Sequence, residues 1–185
     1  MTSAEIIAAL TPLVPGATYD TQSPADEALN PTIVVPVAHL HATCLALRDT
    51  PGLEFVAFSD VTAADFHPGR NPRYDVVYHF VSPHLRRRVR LKVLVHLGDP
   101  VPTISDIWPG AGWCEREVFD LFGIVFEGHT DLRRLMMPDD WEGHPLRKDY
   151  PVQVRKDAAT FMPLQVTEEE FKASMERDRY VRPKP

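Results

Sequence analysis

The sequence predicts an α+β fold: a small antiparallel or mixed sheet with helices on one face, then an extended loop-rich C-terminal arm and a terminal helix. Three observations predict it. One amphipathic helical stretch precedes a set of period-2 segments, the turns between those segments are hairpin-sized, and periodicity breaks down after residue 123 although large apolar residues continue. The 185 residues suit one domain with an extension. The expected division is residues 1–110 for the α+β domain and 111–185 for a compact helix, the arm and the C-terminal helix.

Residues 3–10 (SAEIIAAL) read as a short helix capped by Ser3 and ended by Pro12. Residues 15–31 are loop-like, with a short strand near residues 17–20. Thr32 to Val35 read as a strand. Pro36 is suited to the first position of a helix, and Val37, Leu40, Cys44, Leu45 and Leu47 then fall near helical spacing over 37–48, before Pro51-Gly52 stops the pattern. Three strands follow, at 53–59, 74–81 and 88–97; the last alternates most cleanly, with Val89, Leu91, Val93, Val95 and Leu97 on one side. Strands joined by short turns favour antiparallel pairing. Residues 104–108 form a helical turn, and residues 112–122 (GWCEREVFDLF) a compact helix with Cys114, Val118, Phe119 and Phe122 on one side and Gly123 as its C-cap. Residues 167–178 close the chain as an amphipathic helix started by Thr167 and Glu170.

Composition bounds the function. Hydrophobic residues at 44% allow a sizeable core, and the net charge of -6 argues against a nucleic-acid binder, which shows a basic face. Cys44 and Cys114 are too few for the four thiolates of a typical iron–sulfur or structural zinc site. No stretch reaches the roughly 18 apolar residues that span a bilayer, so membrane association is expected only through a partner. Neither a glycine-rich phosphate loop nor a nucleophile elbow is present.

The 18 prolines concentrate away from the periodic segments. Between Gly123 and Val166, glycine and proline interrupt every candidate element, yet Phe126, Leu132, Met136, Trp141, Leu146 and Tyr150 need burial. Such an arm either wraps over its own domain or docks on another polypeptide; the second reading is preferred. Arg133, Arg134, Arg147 and Lys148 stand among Asp131, Asp139, Asp140, Glu142 and Asp149, and arginine forks with aromatic anchors (Trp141, Tyr150, Phe126) match an interface composition.

Glu115, Glu117 and Asp120 invite an acid–base reading. Positions two apart do not share a helix face, however, whereas Arg116 and Asp120 can pair at i, i+4. A solvated or intersubunit ion-pair network is therefore preferred. His129 and His144, with nearby aspartates, lack the spacing of a metal site. Cys114 beside charged neighbours could be a tuned thiol, but a small buried hydrophobe suits it better. Arg86 to Arg88 read as a solvated strand edge.

The stretch EREVFDLFGIVFEGHTDLRRLMMPDDWEGHPLRKDYP, Glu115 to Pro151, resembles the signature of the 30 kDa subunit family of respiratory complex I. The matching elements are Glu115-Arg116-Glu117, Asp120 through Phe122-Gly123, Gly128-His129, Leu132-Arg133-Arg134, Trp141, and Gly143-His144-Pro145 through Arg147-Lys148-Asp149-Tyr150. Thr130 stands where the family usually has proline, which loosens one backbone position. The resemblance implies a structural subunit of the peripheral arm of proton-translocating NADH:quinone oxidoreductase. In that reading FMN, the iron–sulfur clusters and quinone belong to partner chains, the catalysis belongs to the complex, and the signature residues form contacts between subunits. It also implies the 49 kDa type of subunit and neighbouring iron–sulfur subunits as partners, at the cytoplasmic face of the bacterial inner membrane. The alternatives are the equivalent chain of a membrane-bound hydrogenase or formate hydrogenlyase, a free-standing hydrolase using Glu117 and Asp120, and a monomeric binding module with its arm folded on itself.

Overall fold

The computed structural model describes residues 2–21, 30–151, 167, 169, 172 and 173. The chain divides into two compact units, Met1–Pro151 and Val152–Pro185. In the second unit Glu169, Lys172 and Ala173 are helical, as the amphipathic pattern predicts; the expected cap partner Glu170 lies outside the described residues.

The first unit is built on a five-stranded sheet. Its strands are β1 (Asp20–Thr21), β2 (Thr32–Val34), β3 (Ala57–Asp65), β4 (Tyr74–Ser82) and β5 (Arg87–Val95), in spatial order β1-β2-β5-β4-β3. β3, β4 and β5 form the antiparallel meander that short turns favour. β2 joins β5 in parallel, which the helical crossover after Val35 permits and which makes the sheet mixed. Alternation puts Val76, Tyr78 and Phe80 of β4 and Val89, Leu91 and Val93 of β5 on one face, all buried. That face carries the helices α1 (Ser3–Leu10), α2 (Leu40–Asp49) and α3 (Ala111–Phe122), whose Ile6, Leu10, Leu40, Leu47, Val118 and Phe122 share its core cluster.

Several boundaries differ from the sequence reading, each for a visible reason. Thr2, rather than Ser3, caps α1 through a reciprocal capping box with Glu5, and Ser3 is buried. A 3-10 turn over Val37–His39 precedes α2. The strand expected at 53–59 begins at Ala57 and runs to Asp65. Leu53 and Phe55 are instead loop residues pinned under the sheet, because Thr50 accepts from Leu53 and Glu54, and Phe55 donates to Leu47. The true strand carries few large apolar residues since it is an edge, with Ser59, Asp60 and Thr62 exposed. A short parallel pair, β6 (Val101–Pro102) with β7 (Phe126–Glu127), was not legible at all. It places Phe126 in the core at 2% exposure, so Phe126 is no interface anchor.

The boundary expected between residues 110 and 111 falls inside the first unit. Helix α3 packs directly on β3, and the arm as far as Pro151 folds with the same unit.

Candidate functional site

Helix α3 ends at Gly123, in the left-handed region at φ +74, whose N–H donates to Phe119 at 2.8 Å. A helix leaves its last four carbonyls without intrahelical donors. Here the arm supplies donors to four consecutive carbonyls at that end. His144 Nδ1 donates to Asp120 O at 2.9 Å, Leu146 N–H to Leu121 O at 3.0 Å, and Arg147 to Phe122 O at 2.5 Å and Gly123 O at 3.4 Å. The cation also opposes the negative end of the helix dipole. Burial, joined by the charges of Arg147 and Arg134, holds His144 below the ordinary histidine pKa, so the neutral ring keeps its proton on Nδ1. Gly143 and the aromatic Tyr150 meet beside this cap. Gly143 has φ +81, and a Cβ there would come within 2.7 Å of the Tyr150 ring.

Asp120 is fully buried and receives four donors. The backbone N–H groups of Leu135, Met136 and Met137 converge on Oδ2 at 3.0, 2.7 and 2.8 Å, while Arg134 Nη1 donates to Oδ1 at 2.7 Å. Three successive amides around one oxygen form an anion nest. Burial alone would raise this carboxyl, but the amide bonds and Arg134 outweigh it and hold the pKa below the usual carboxylate range. The remaining Arg134 donors reach Trp141 O at 2.8 Å and Gly143 O at 3.1 Å.

Glu115 is also sealed, accepting from the Ile104 N–H at 2.8 Å and from the Thr103 hydroxyl. Here burial dominates and raises the pKa. His129 lies beside it: Asp131 N–H donates to Nδ1 at 3.0 Å, so the proton sits on Nε2, which donates to Gly112 O at 3.0 Å. Both ring nitrogens are thereby committed. Arg116 donates to Arg133 O at 3.2 Å and Arg134 O at 3.1 Å, and stacks over Trp113 at 4.9 Å. The i, i+4 pairing of Arg116 with Asp120 is therefore replaced: each is held by partners in the arm. Leu132 packs against the core, and Gly128 turns the chain at φ +84.

The described part of the arm returns to the sheet at Lys148 and Asp149. Arg73, 7% exposed, donates bidentately to Asp65 at 2.9 and 2.6 Å and to Asp149 at 3.0 and 2.7 Å. Lys148 N–H reaches the same Asp65 at 2.8 Å. Burial opposes ionisation of Asp65, but Arg73 and the Lys148 and His67 amides hold its pKa far below the usual range. Sequence reasoning missed Asp65 and Arg73. Charges at a hairpin end usually read as solvated, and only the returning arm buries them.

The signature is thus largely an internal scaffold. Of its carboxylates on α3 only Glu117 is exposed; Asp120 is saturated by donors and cannot serve as a base, which removes the paired acid–base reading. Burial raises the Cys114 thiol, the opposite of activation. Large apolar and cationic side chains remain outward on α3 and the arm, beside the exposed acids Glu117, Asp139, Asp140 and Glu142: Trp113 and Met136 are 61% and 63% exposed, Leu146 is exposed, and Arg133 projects with Asp131 at 3.0 Å. A cleft of about 690 Å³ opens beside Trp113 and Arg116, with the His41–Asp106 pair, 2.8 Å apart, at its rim.

Comparison with known proteins bears on this arrangement. Residues 33–156 match the family described as respiratory-chain NADH dehydrogenase, 30 Kd subunit. The chain is 42% identical over 164 residues to the C-type subunit of NADH-quinone oxidoreductase from Methylobacterium sp. (strain 4-46), covering 82% of this chain and 76% of that protein. It is 46% identical over 130 residues to the protein of the same description from Rhodopseudomonas palustris (strain TIE-1), covering 68% and 63% respectively. A chain of a membrane-bound sulfane sulfur reductase, an archaeal respiratory membrane complex, shares the fold at a TM-score of 0.63 and 24% identity, over 80% of this chain and 85% of that one.

Proposed function

The chain belongs to the family of the respiratory-chain NADH dehydrogenase 30 kDa subunit, and we propose that it serves NADH-quinone oxidoreductase as a scaffold of the peripheral arm. In this reading the chain catalyses nothing alone. FMN, the iron–sulfur clusters and the quinone pocket belong to partner chains, and this subunit holds those chains in fixed register so that electron-transfer distances stay constant.

One observation carries the proposal. Glu115, Arg116, Asp120, Arg134 and Arg147 are spent inside the chain on rigidifying α3 and the arm, while Trp113, Met136, Leu146 and Arg133 are left exposed. Large apolar groups and an arginine on a rigid surface are the anchors of protein interfaces. The partners this surface suits are the 49 kDa type of subunit and neighbouring iron–sulfur subunits. No described helix is long and apolar enough to cross a membrane, and attachment at the cytoplasmic face would come through those partners.

Affinity purification of the tagged full-length chain from solubilised membranes tests the reading. The NADH-oxidising and iron–sulfur chains should travel with it. A chain that purifies alone, or that oxidises NADH by itself, would overturn it.

A further inference from the structure

The sheet face away from α1, α2 and α3 carries a second feature. Cross-strand pairing sets Val81 opposite Arg88, His79 opposite Arg90 and Val77 opposite Lys92, and all six point away from the core cluster. β3 bulges between Phe58 and Asp60, which moves Ser59 out of register. Between that bulge and β5 lies a hollow of about 290 Å³, lined by Asn30, Ser59, His79, Val81, Arg88 and Arg90 together with the flanks of Phe80 and Val89. No carboxylate is among these lining residues. Among the described residues two acids stand near it, and each has a partner of its own. Asp75 is taken by Arg70 and Lys92, and Asp60, cross-strand from His79, hydrogen-bonds the Cys114 thiol.

The arginines are held ready. Arg90 donates its Nε to His79 Nε2 at 3.0 Å, which orients the guanidinium and requires a neutral imidazole as acceptor. Burial and the Arg90 charge both depress the His79 pKa, in keeping with that bond. Arg88 is exposed, and the run continues into the hairpin through Arg87 and Arg86. In a chain of net charge -6 this is a concentrated basic site, and planar guanidinium groups match carboxylates in geometry as well as charge.

We propose that this hollow on the β3–β4–β5 face opposite α1, α2 and α3 docks an acidic segment of a neighbouring subunit, with Arg88 and Arg90 receiving its carboxylates. It is a second contact surface, on the opposite side of the sheet from α3 and its Trp113 anchor, and rests on the chain being part of an assembly.

The test places the photo-crosslinker p-benzoylphenylalanine at Ser59, on the rim of the hollow, and separately at Met136, in the full complex in membranes. Products are identified by mass spectrometry. The expected result is a Ser59 product with a partner peptide rich in Asp or Glu, reduced about tenfold or more by Arg88→Glu and less by Arg88→Lys, which keeps the charge but not the fork. Thermal melting of the Arg88→Glu chain should match that of the parent, so that loss of the product reports docking. The proposal is overturned if Met136 captures a partner and Ser59 captures none. It is equally overturned if Ser59 captures only this chain's own Asp26–Glu27 region, captures a segment without carboxylates, or is indifferent to Arg88→Glu. If neither position captures a partner, the assembly reading itself fails, and this surface with it.

Discussion

The Arg73 guanidinium holds the Asp149 carboxylate through two hydrogen bonds of 2.7 and 3.0 Å, across 76 residues of chain. The same guanidinium grips Asp65 from the other side. One cation thus ties the arm at Asp149 to the β3–β4 hairpin, and its two partners differ in exposure: Asp65 is buried, whereas the Asp149 side chain is 46% exposed. Arg73→Ala should therefore cost about 3–5 kcal/mol, because it strands a buried carboxylate. Asp149→Ala should cost less than about 1 kcal/mol. Urea unfolding of the two variants measures both, and equal losses would contradict the asymmetry.

Asp65 and Asp120 both have folded pKa values below their unfolded ones. Unfolded chains then bind more protons in acid, so stability is complete above the unfolded aspartate pKa, near about 3.9, and is lost as pH falls from there toward the folded values. Asp120→Asn should be less stable at neutral pH and show a shallower acid slope. Unfolding free energy followed from about pH 5 down to 2 checks the sign.

Glu115 has the opposite sign, since burial raises its pKa. The folded state binds the extra proton, so its contribution is greatest below the unfolded glutamate pKa, near about 4.3, and declines as pH rises through the folded value. Glu115→Gln should abolish that decline while keeping an acceptor for the Ile104 N–H. Glu115→Ala leaves that buried N–H unpaired and should be about 1–3 kcal/mol less stable than Glu115→Gln at every pH. Denaturation curves at pH 4 to 8 separate the variants.

Gly123 and Gly98 both have positive φ, +74 and +91, but nothing lies within 4 Å of a Cβ built at Gly98. At Gly123 the Cβ would meet Arg147 and stand 2.5 Å from the His144 ring. Gly98→Ala should cost only the left-handed strain, about 1–2 kcal/mol. Gly123→Ala adds displacement of the carbonyl cap and should cost clearly more. Melting temperatures of the two alanine variants rank them.

Arg133 and Arg134 are neighbours with different duties. Arg134 fills the Asp120 pocket, while Arg133 is 73% exposed. Arg133→Ala should leave the melt of the isolated chain within about 0.5 kcal/mol of the parent yet lower partner recovery in the purification. Arg134→Ala should destabilise the chain first, by about 3–5 kcal/mol. Arg147→Ala belongs with Arg134, since its guanidinium caps α3. Equal melts for Arg133→Ala and Arg134→Ala would refute the division.

Elements with strong local periodicity were legible. Period-2 alternation over β4 and β5 located both strands, and the apolar spacing of α2, the glycine end of α3 and the antiparallel meander followed from residue chemistry and short turns. The composition of the arm was also readable: too rich in aromatics and arginine for a free loop, too broken by proline for a helix. Its resemblance to a known family led directly to the family that the chain belongs to.

Where the arm's charges point was not legible. Arg134 and Asp120 are 14 residues apart, and Arg73 and Asp149 are 76 apart. Periodicity carries no information at those separations, so an arginine that fills an internal pocket and one that faces a partner look alike in sequence. The same blindness hid β7, two residues long, and the true course of β3, whose edge position removes the apolar alternation that would announce it. Local pattern is set by which side of an element meets water. Burial of a charge is decided only when the folded chain brings four donors to one carboxylate, and that is a property of the closed structure.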